Sequence, residues 1–571
     1  MRLALLCSAL APACLYANTL RLEVQGVSDA LADNVRGFLS IQSLEDQDVR
    51  SESRLRYLHR QAEGEIRQAL EPFGYYTPQI ETELQRLDSG DWQARYRIDP
   101  GVPTRVSRVE IQLLGEAADD SAFQSLLATR PLRRGAILSH QDYERLKTQL
   151  QSLAAERGYY QSRFQQQRIL VDPEAAEAEI DLVFDSGTRA RVGEIRFAES
   201  PLDERLLRRY PRFAEGDYLD VTRLVDLQGA LIDSDYFSDV EVRPLLDEME
   251  EGVIPVQVNL TPRLRTLYSA GFGFGTDTGA RMQLGMNRRY INSRGHKLDA
   301  RLRFSEIRND LSGSYMIPGR DPRFDLFGLR ARYADENSDT IESSTLALGG
   351  VWQRQIGDWE RVLSLDFEQE EFTFDQNTQT VKLLIPRAQL SRTLADNRFN
   401  TRAGQRISFS LAAANDALLS DVSFIQVSAS GKRVDSFGER WRLLSRLEVG
   451  ATLADEFDRL PASQRFYAGG DNSIRGYDYQ TLGPKSAQGN VIGGRYLLVS
   501  SLEADYEFRP NWRLAGFIDA GNAFDGWSDP IKTSLGFGVR WQSPVGPIRV
   551  DLATPIQDSG VRIHFTLGPD L

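Results

Sequence analysis

Arg475, Glu503 and Asp519 are the residues of this chain whose types and spacing best suit a specific chemistry. A guanidinium carries five N–H donors in a rigid fork, and a carboxylate can take two of them side-on, so the three could form a strong ion cluster wherever water is kept away. Arg475 lies in RFYAGGDNSIRGYDYQTLGP, a glycine-rich stretch from Arg465 to Pro484 that follows neither a helical nor a strand pattern. Glu503 lies in RYLLVSSLEADYEF and Asp519 in WRLAGFIDAGN. This chemistry is recognition, and the residues for catalysis are missing. A nucleophile needs a base, yet His59, His140, His296 and His564 are scattered singly and none has metal-ligand spacing. Only His564 falls on the polar face of a well-defined strand, and no Ser-His constellation can be argued around it. No enzyme activity, metal or cofactor is expected.

The elements that position these residues begin after an apolar leader. MRLALLCSALAPACLYA has the form of a secretory signal peptide, with cleavage expected after Ala17. Cys14, after Ala-Pro-Ala, also permits a lipoprotein reading. Both cysteines of the chain, Cys7 and Cys14, lie in this leader, so the mature protein has no disulfide and no cysteine metal site. The net charge of −13 becomes −14 once Arg2 is removed with the leader. An acidic chain without a long basic run is a poor nucleic-acid binder. Mean hydropathy is −0.39, and no later stretch reaches about 18 apolar residues, so no transmembrane helix is expected. That pattern does not argue against a β-barrel, whose hydropathy signal is weak.

Residues 18 to 264 repeat one small α+β unit three times, over 18–101, 102–187 and 188–264. In the first, LRLEVQGV is a strand, DALADNVRGFLS and RLRYLHRQAEGEIRQALEPFG are helices, and PQIETELQRL and WQARYRIDPG are strands. Each later helix runs into an aromatic pair (Tyr75-Tyr76, Tyr159-Tyr160, Tyr236-Phe237), spaced by 84 and 77 residues. The pairs are expected to pack the exit strand on the core, and open sheet edges in such units can accept an added strand.

From Arg265 onward the helical period vanishes. HKLDARLRFSE sets Leu298, Ala300, Leu302 and Phe304 opposite Asp299, Arg301 and Arg303; GQRISFSLAAAN, GPIRVDLATP and VRIHFTLG alternate likewise. Sixteen such segments follow, the first near TLYSAGFGFG and the last Val561 to Leu567, most of about the 9 to 11 residues a tilted strand needs to cross a bilayer. A soluble sandwich and a membrane barrel compete for this pattern. The export signal, the missing cysteines and charges placed mid-strand favour the barrel. Trp352, Trp359, Trp441, Trp512 and Trp541, near segment ends, would suit interfacial girdles. Parity then turns Glu503, Asp505 and Asp519 into the lumen, where Arg475 could meet Glu503 and Asp519. Gly271, Gly273 and Gly275 in the first segment weaken pairing or permit a bend, and with Ile563 and Phe565 of the last they mark a candidate seam.

RFYAGG…SIRGYDY resembles the signature loop of the outer-membrane assembly superfamily that contains BamA, TamA and the two-partner secretion transporters. That resemblance implies a sixteen-stranded transmembrane β-barrel in which the loop after the eleventh strand folds inward. Arg475, Gly476 and Tyr477 would form the loop tip and contact Glu503 and Asp519. The three repeats resemble POTRA domains, giving an α+β POTRA array followed by an all-β barrel over 265–571. BamA-like chains carry five such units, and two-partner transporters carry two behind a plug helix. Three units, with Phe565 six residues before the terminus and a Gly-Pro tail following, resemble the TamA branch. Implied with it are the outer membrane of a Gram-negative bacterium, POTRA domains in the periplasm, a TamB-like inner-membrane-anchored partner, unfolded outer-membrane protein or autotransporter substrates, and contact with outer-membrane lipid. A two-partner exporter of one dedicated passenger is the alternative. A passive porin leaves the repeats unexplained.

Overall fold

In a computed structural model the described residues are 18–567 apart from 131, 398–399, 527 and 544–545. The expected leader at 1–17 and the Gly-Pro tail at 568–571 lie outside them. No helix is long and apolar enough to cross a membrane. The chain divides into two compact units, Met1–Arg196 with Phe213–Val225 and Arg243–Val256, and Phe197–Arg212 with Asp226–Val242 and Gln257–Leu571.

Each repeat builds the same three-stranded sheet, with its last strand in the middle. In the first repeat Leu20–Gln25 runs parallel to the central Trp92–Asp99, and Gln79–Arg86 runs antiparallel to it. The central strand alternates because one face is covered: Trp92, Ala94, Tyr96 and Ile98 are buried against Leu55, Ala62, Ile66 and Leu70 of the helix Glu52–Leu70. That helix starts where the Ser51 hydroxyl accepts the Arg54 N–H, at 3.3 Å. It ends through a short 3-10 turn at Gly74, whose φ of 87° is left-handed. A Cβ there would lie 2.7 Å from the Leu138 carbonyl oxygen, so only glycine fits. The second repeat follows the plan with Arg105–Leu114, Arg163–Asp172 and Glu177–Asp185. The aromatic pairs do more than fill cores. Tyr76 hydroxyl meets His140 Nε2 at 2.7 Å, Tyr159 hydroxyl donates to Asp120, and Tyr236 hydroxyl donates to the Gly295 carbonyl at 2.6 Å.

Residues 266–567 form one sheet of sixteen antiparallel strands in sequence order, from Thr266–Gly275 to Arg562–Leu567. Outward side chains are large and apolar, among them Leu284, Phe304, Leu329, Phe409, Leu447, Leu514 and Phe537. Charged and polar residues alternate with them and face inward, the inside-out pattern of a lipid-facing wall. The five tryptophans do not make two girdles. Trp359, Trp441 and Trp512 begin the seventh, eleventh and thirteenth strands, while Trp352 and Trp541 lie near the ends of the descending sixth and fourteenth. All five therefore gather at the rim where the first strand begins, with Trp512 stacked on Trp541 at 5.6 Å.

The wall is uneven. The seventh and eighth strands have 16 and 19 residues, the last only six. Six residues at about 3.3 Å each reach about 20 Å, short of an apolar band about 25 Å tall. Among the described residues the first and last strands do not pair with each other; they end the sheet side by side.

Candidate functional site

The chain between the eleventh strand (Trp441–Ala454) and the twelfth (Tyr496–Arg509) turns into the lumen. Local bonds give it shape. Phe466 pairs with Gly494, Ala468 with Leu482 and Lys485 with Val491. Arg465 is buried and donates to three carbonyls of its own loop: Leu460 and Asp458, each at 2.8 Å, and Ile492 at 3.1 Å. Its guanidinium also lies over the rings of Phe374 and Phe457. Apolar contact seats the loop on the wall, where Ala468, Ile474, Tyr477 and Leu482 pack with Val499 and Ala523.

At the tip, Arg475 uses all five of its N–H donors. Nε and Nη2 grip the two oxygens of Asp519 at 2.8 and 2.9 Å, Nη1 reaches Glu503 at 2.7 Å and Asp551 at 3.1 Å, and Nη2 also reaches the Ser501 hydroxyl at 3.3 Å. Its own backbone N–H donates to Asp519 as well, at 3.1 Å. The guanidinium lies 3.3 Å from the centroid of the Phe517 ring. Asp519 has no exposed surface. Gly476, at φ 96°, permits the tip to lie flat against the fourteenth and fifteenth strands, where a Cβ would stand 3.3 Å from Ser534 Cβ and Pro555 N. Tyr477 hydroxyl donates to Asp558 at 3.0 Å.

Three partners in this cluster were missed by the sequence argument. Asp551 accepts from Arg475 and from Arg540, and Arg540 also donates twice to Glu503. Two guanidiniums thus hold three carboxylates. The alternation of GPIRVDLATP carried the signal for Asp551, since Val550 faces out. His564 is the third. Its Nε2 accepts the Gly476 N–H at 2.8 Å, so the ring proton sits on Nδ1 and is donated to Asp471 at 2.6 Å. With Nε2 occupied, His564 has no free lone pair for a nucleophile. The other histidines each meet a tyrosine hydroxyl: Tyr96, Tyr76 and Tyr315.

The tip also reaches both edges of the open seam. Asp471 accepts from Thr276, in the turn after the first strand, and from His564 of the last strand. The Asp471 N–H donates to Asp277 at 2.5 Å, and the Phe565 N–H donates to Thr276 Oγ1 at 2.8 Å. Asp277 sits in the same turn outside the strands, and burial, then the neighbouring Asp471 charge, pushes its carboxyl up to about 6. Ligand atoms of Asp277, Asp471 and His564 lie within 4.8 Å of one another, a set whose hydrogen bonds already satisfy it. Phe274 and Phe565 pack across the seam with ring centroids 6.0 Å apart. Gly271, Gly273 and Gly275 lie in unbroken register with Gln283, Arg281 and Gly279 of the second strand, so no bulge occurs at them. Ile563 faces outward and is exposed.

Residues 291–570 match the Omp85 superfamily domain, and residues 21–100 match domain 1 of the TamA POTRA domains. Among curated relatives, the outer membrane protein assembly factor BamA of Nitratidesulfovibrio vulgaris is 23% identical over 383 residues, 62% of this chain and 48% of that protein. The BamA of Neisseria meningitidis serogroup B is 29% identical over 150 residues, 19% of each. This chain thus spans about half the length of the first relative, and less of the second. The crystal structure of BamA from Haemophilus ducreyi lacking POTRA domains 1–3 superposes with a TM-score of 0.69 at 19% identity, covering 81% of this chain and 99% of that one. The fold of that 81% of the chain is therefore shared.

Proposed function

We propose that this protein is an outer-membrane assembly factor that inserts or secretes β-barrel and autotransporter proteins, of the TamA branch. The observation that carries the reading is the seam. The described part of its last strand is six residues long, its edges are unpaired among the described residues, and the bonds across it run through side chains, the loop residue Asp471 and the Phe565 N–H. An unpaired edge inside a membrane is a template for an incoming strand, because backbone groups without partners cost several kcal/mol each in hydrocarbon. Arg475, Gly476 and Tyr477, held by Glu503 and Asp519, act as the latch that fixes the loop tip beside that edge. Gly271, Gly273, Gly275, Ile563 and Phe565 form the opening itself. The three repeats lie in the periplasm, where a TamB-like inner-membrane-anchored protein docks. The match of the first repeat to a TamA domain and the count of three support this branch.

The test is reconstitution. The purified chain in liposomes, with and without the TamB-like protein, receives an unfolded outer-membrane barrel protein, and insertion is read by protease protection. Insertion faster than into empty liposomes, slowed by Arg475→Ala, is expected. No acceleration with both proteins present would overturn the assignment.

A further inference from the structure

Beside the latch, the lumen wall carries charges that the latch does not use. Arg406, Lys432 and Arg446 stand directly opposite one another on the ninth, tenth and eleventh strands. All three face inward, since Phe409, Leu411, Ile425, Val427 and Leu447 of the other parity are exposed to lipid. Like charges directly opposite across strands repel. Glu448, two residues from Arg446 on the same strand face, offsets part of this charge. Arg406 and Lys432 have no hydrogen bond or ion pair among the described residues. Among the described residues Arg446 donates only to the Ser473 carbonyl, and its Nε is buried without a partner. The charges that bear most on Lys432 are Arg446, Arg549 and Arg406, with Glu448 the single acid among them.

Lys432 and Arg446 border a cavity of about 70 Å³ under the loop tip, lined also by Arg549, Asn472 and Ser501. Asp471 and Glu503 lie at its edge, but their oxygens are bonded to Thr276 and His564 and to Arg475 and Arg540. The remaining lining is rich in donors, which suits an oxyanion. A phosphate monoester carries about two negative charges and several acceptor oxygens, and a lysine beside arginine forks is a set that binds it.

We propose that this cavity binds a phosphate group, either as free inorganic phosphate or as a monoester carried on a lipid. The bound anion holds the row Arg406–Lys432–Arg446 together and couples it to the loop through Ser473. The site needs no transport step, so it stands or falls apart from the assembly function.

The experiment uses the full chain in detergent micelles, with barrel unfolding followed by heat-modifiability on gels at constant ionic strength. Inorganic phosphate, dihexanoyl phosphatidic acid and, as control, dihexanoyl phosphatidylcholine are titrated. A saturable rise in melting temperature with phosphate or phosphatidic acid, absent with phosphatidylcholine, is expected. The better of the two ligands tells a free ion from a lipid-borne one. Lys432→Gln should weaken the response at least tenfold while melting no lower than the parent without ligand, because it relieves the repulsion. Arg406→Gln, in the same row but outside the cavity lining, should weaken it less and serves if Lys432→Gln fails to fold. No saturable response in the parent, or an unaltered response in both variants, overturns the proposal.

Discussion

Arg475 and Asp519 meet side-on, Nε to Oδ2 at 2.8 Å and Nη2 to Oδ1 at 2.9 Å, and Asp519 also takes the backbone N–H of the same arginine. One carboxylate therefore fixes both the side chain and the backbone of the loop tip. Removing the arginine strands three buried carboxylates with a single remaining guanidinium, a loss of about 3–5 kcal/mol for a broken buried pair. Arg475→Ala should melt well below the parent on heat-modifiability gels. Arg475→Lys, which keeps the charge and loses the fork, should fall between. In a cycle with Asp519→Ala the two losses should not add, and additive losses would argue against direct pairing.

Asp519 and Asp551 should differ in weight. Asp519 accepts three bonds from Arg475 and one from the Ser501 hydroxyl, whereas Asp551 takes one bond each from Arg475 and Arg540. Asp519→Asn should lower the melting temperature more than Asp551→Asn. Equal losses would mean that the cluster responds to charge alone.

Across the seam, His564 is the link between loop and last strand. His564→Leu leaves the Gly476 N–H without a partner, costing about 1–3 kcal/mol for the buried group, and leaves Asp471 Oδ1 with Thr276 alone. Hydrogen exchange in Thr266–Gly275 and Arg562–Leu567 should speed up, while the strand pair Trp359–Phe374 and Asn377–Ala395 stays protected. Unchanged exchange at the seam would show that the clasp does not hold it.

Asp277 gives the seam a pH dependence. Its carboxyl is raised from the ordinary value near 4 to about 6, so the folded state binds the proton more tightly than the unfolded chain. That contribution is fully present below about 4 and is lost as pH rises through about 6, leaving a buried charge at neutral pH. Asn at this position keeps an oxygen for the Asp471 N–H and cannot ionise. Asp277→Asn should therefore melt higher than the parent at pH 7, by about 1–2 kcal/mol after discounting for partial exposure, with a flatter profile between pH 4 and 6. Parallel melting profiles for the two proteins would contradict this origin.

Period and parity carried most of the fold. The alternation of HKLDARLRFSE and its fifteen companions gave the strands and their lipid face because every wall residue has only two directions to point. The same parity turned Glu503, Asp505 and Asp519 inward, and Asp505 proves to be gripped by Arg442 and Arg513. The rest depended on distance in space. Asp551, Arg540 and His564 join the cluster only because the barrel curls its last strands around to the loop, and no local pattern records that approach. The one-sided tryptophan rim is likewise a property of strand direction, and the six-residue last strand one of pairing. Glycines in SAGFGFGTDTG permit a bulge, but their strand keeps ten continuous pairs with its neighbour.

The central claim is that the seam must open. Phe274 and Phe565 pack across it, and the mature chain expected after residue 17 has no cysteine of its own, so Phe274→Cys with Phe565→Cys can lock the first strand to the last. Insertion of an unfolded barrel substrate by the reconstituted double variant is then measured before and after adding reductant. The account predicts little insertion while the disulfide holds and recovery on reduction. Full insertion by the completely cross-linked protein would contradict it.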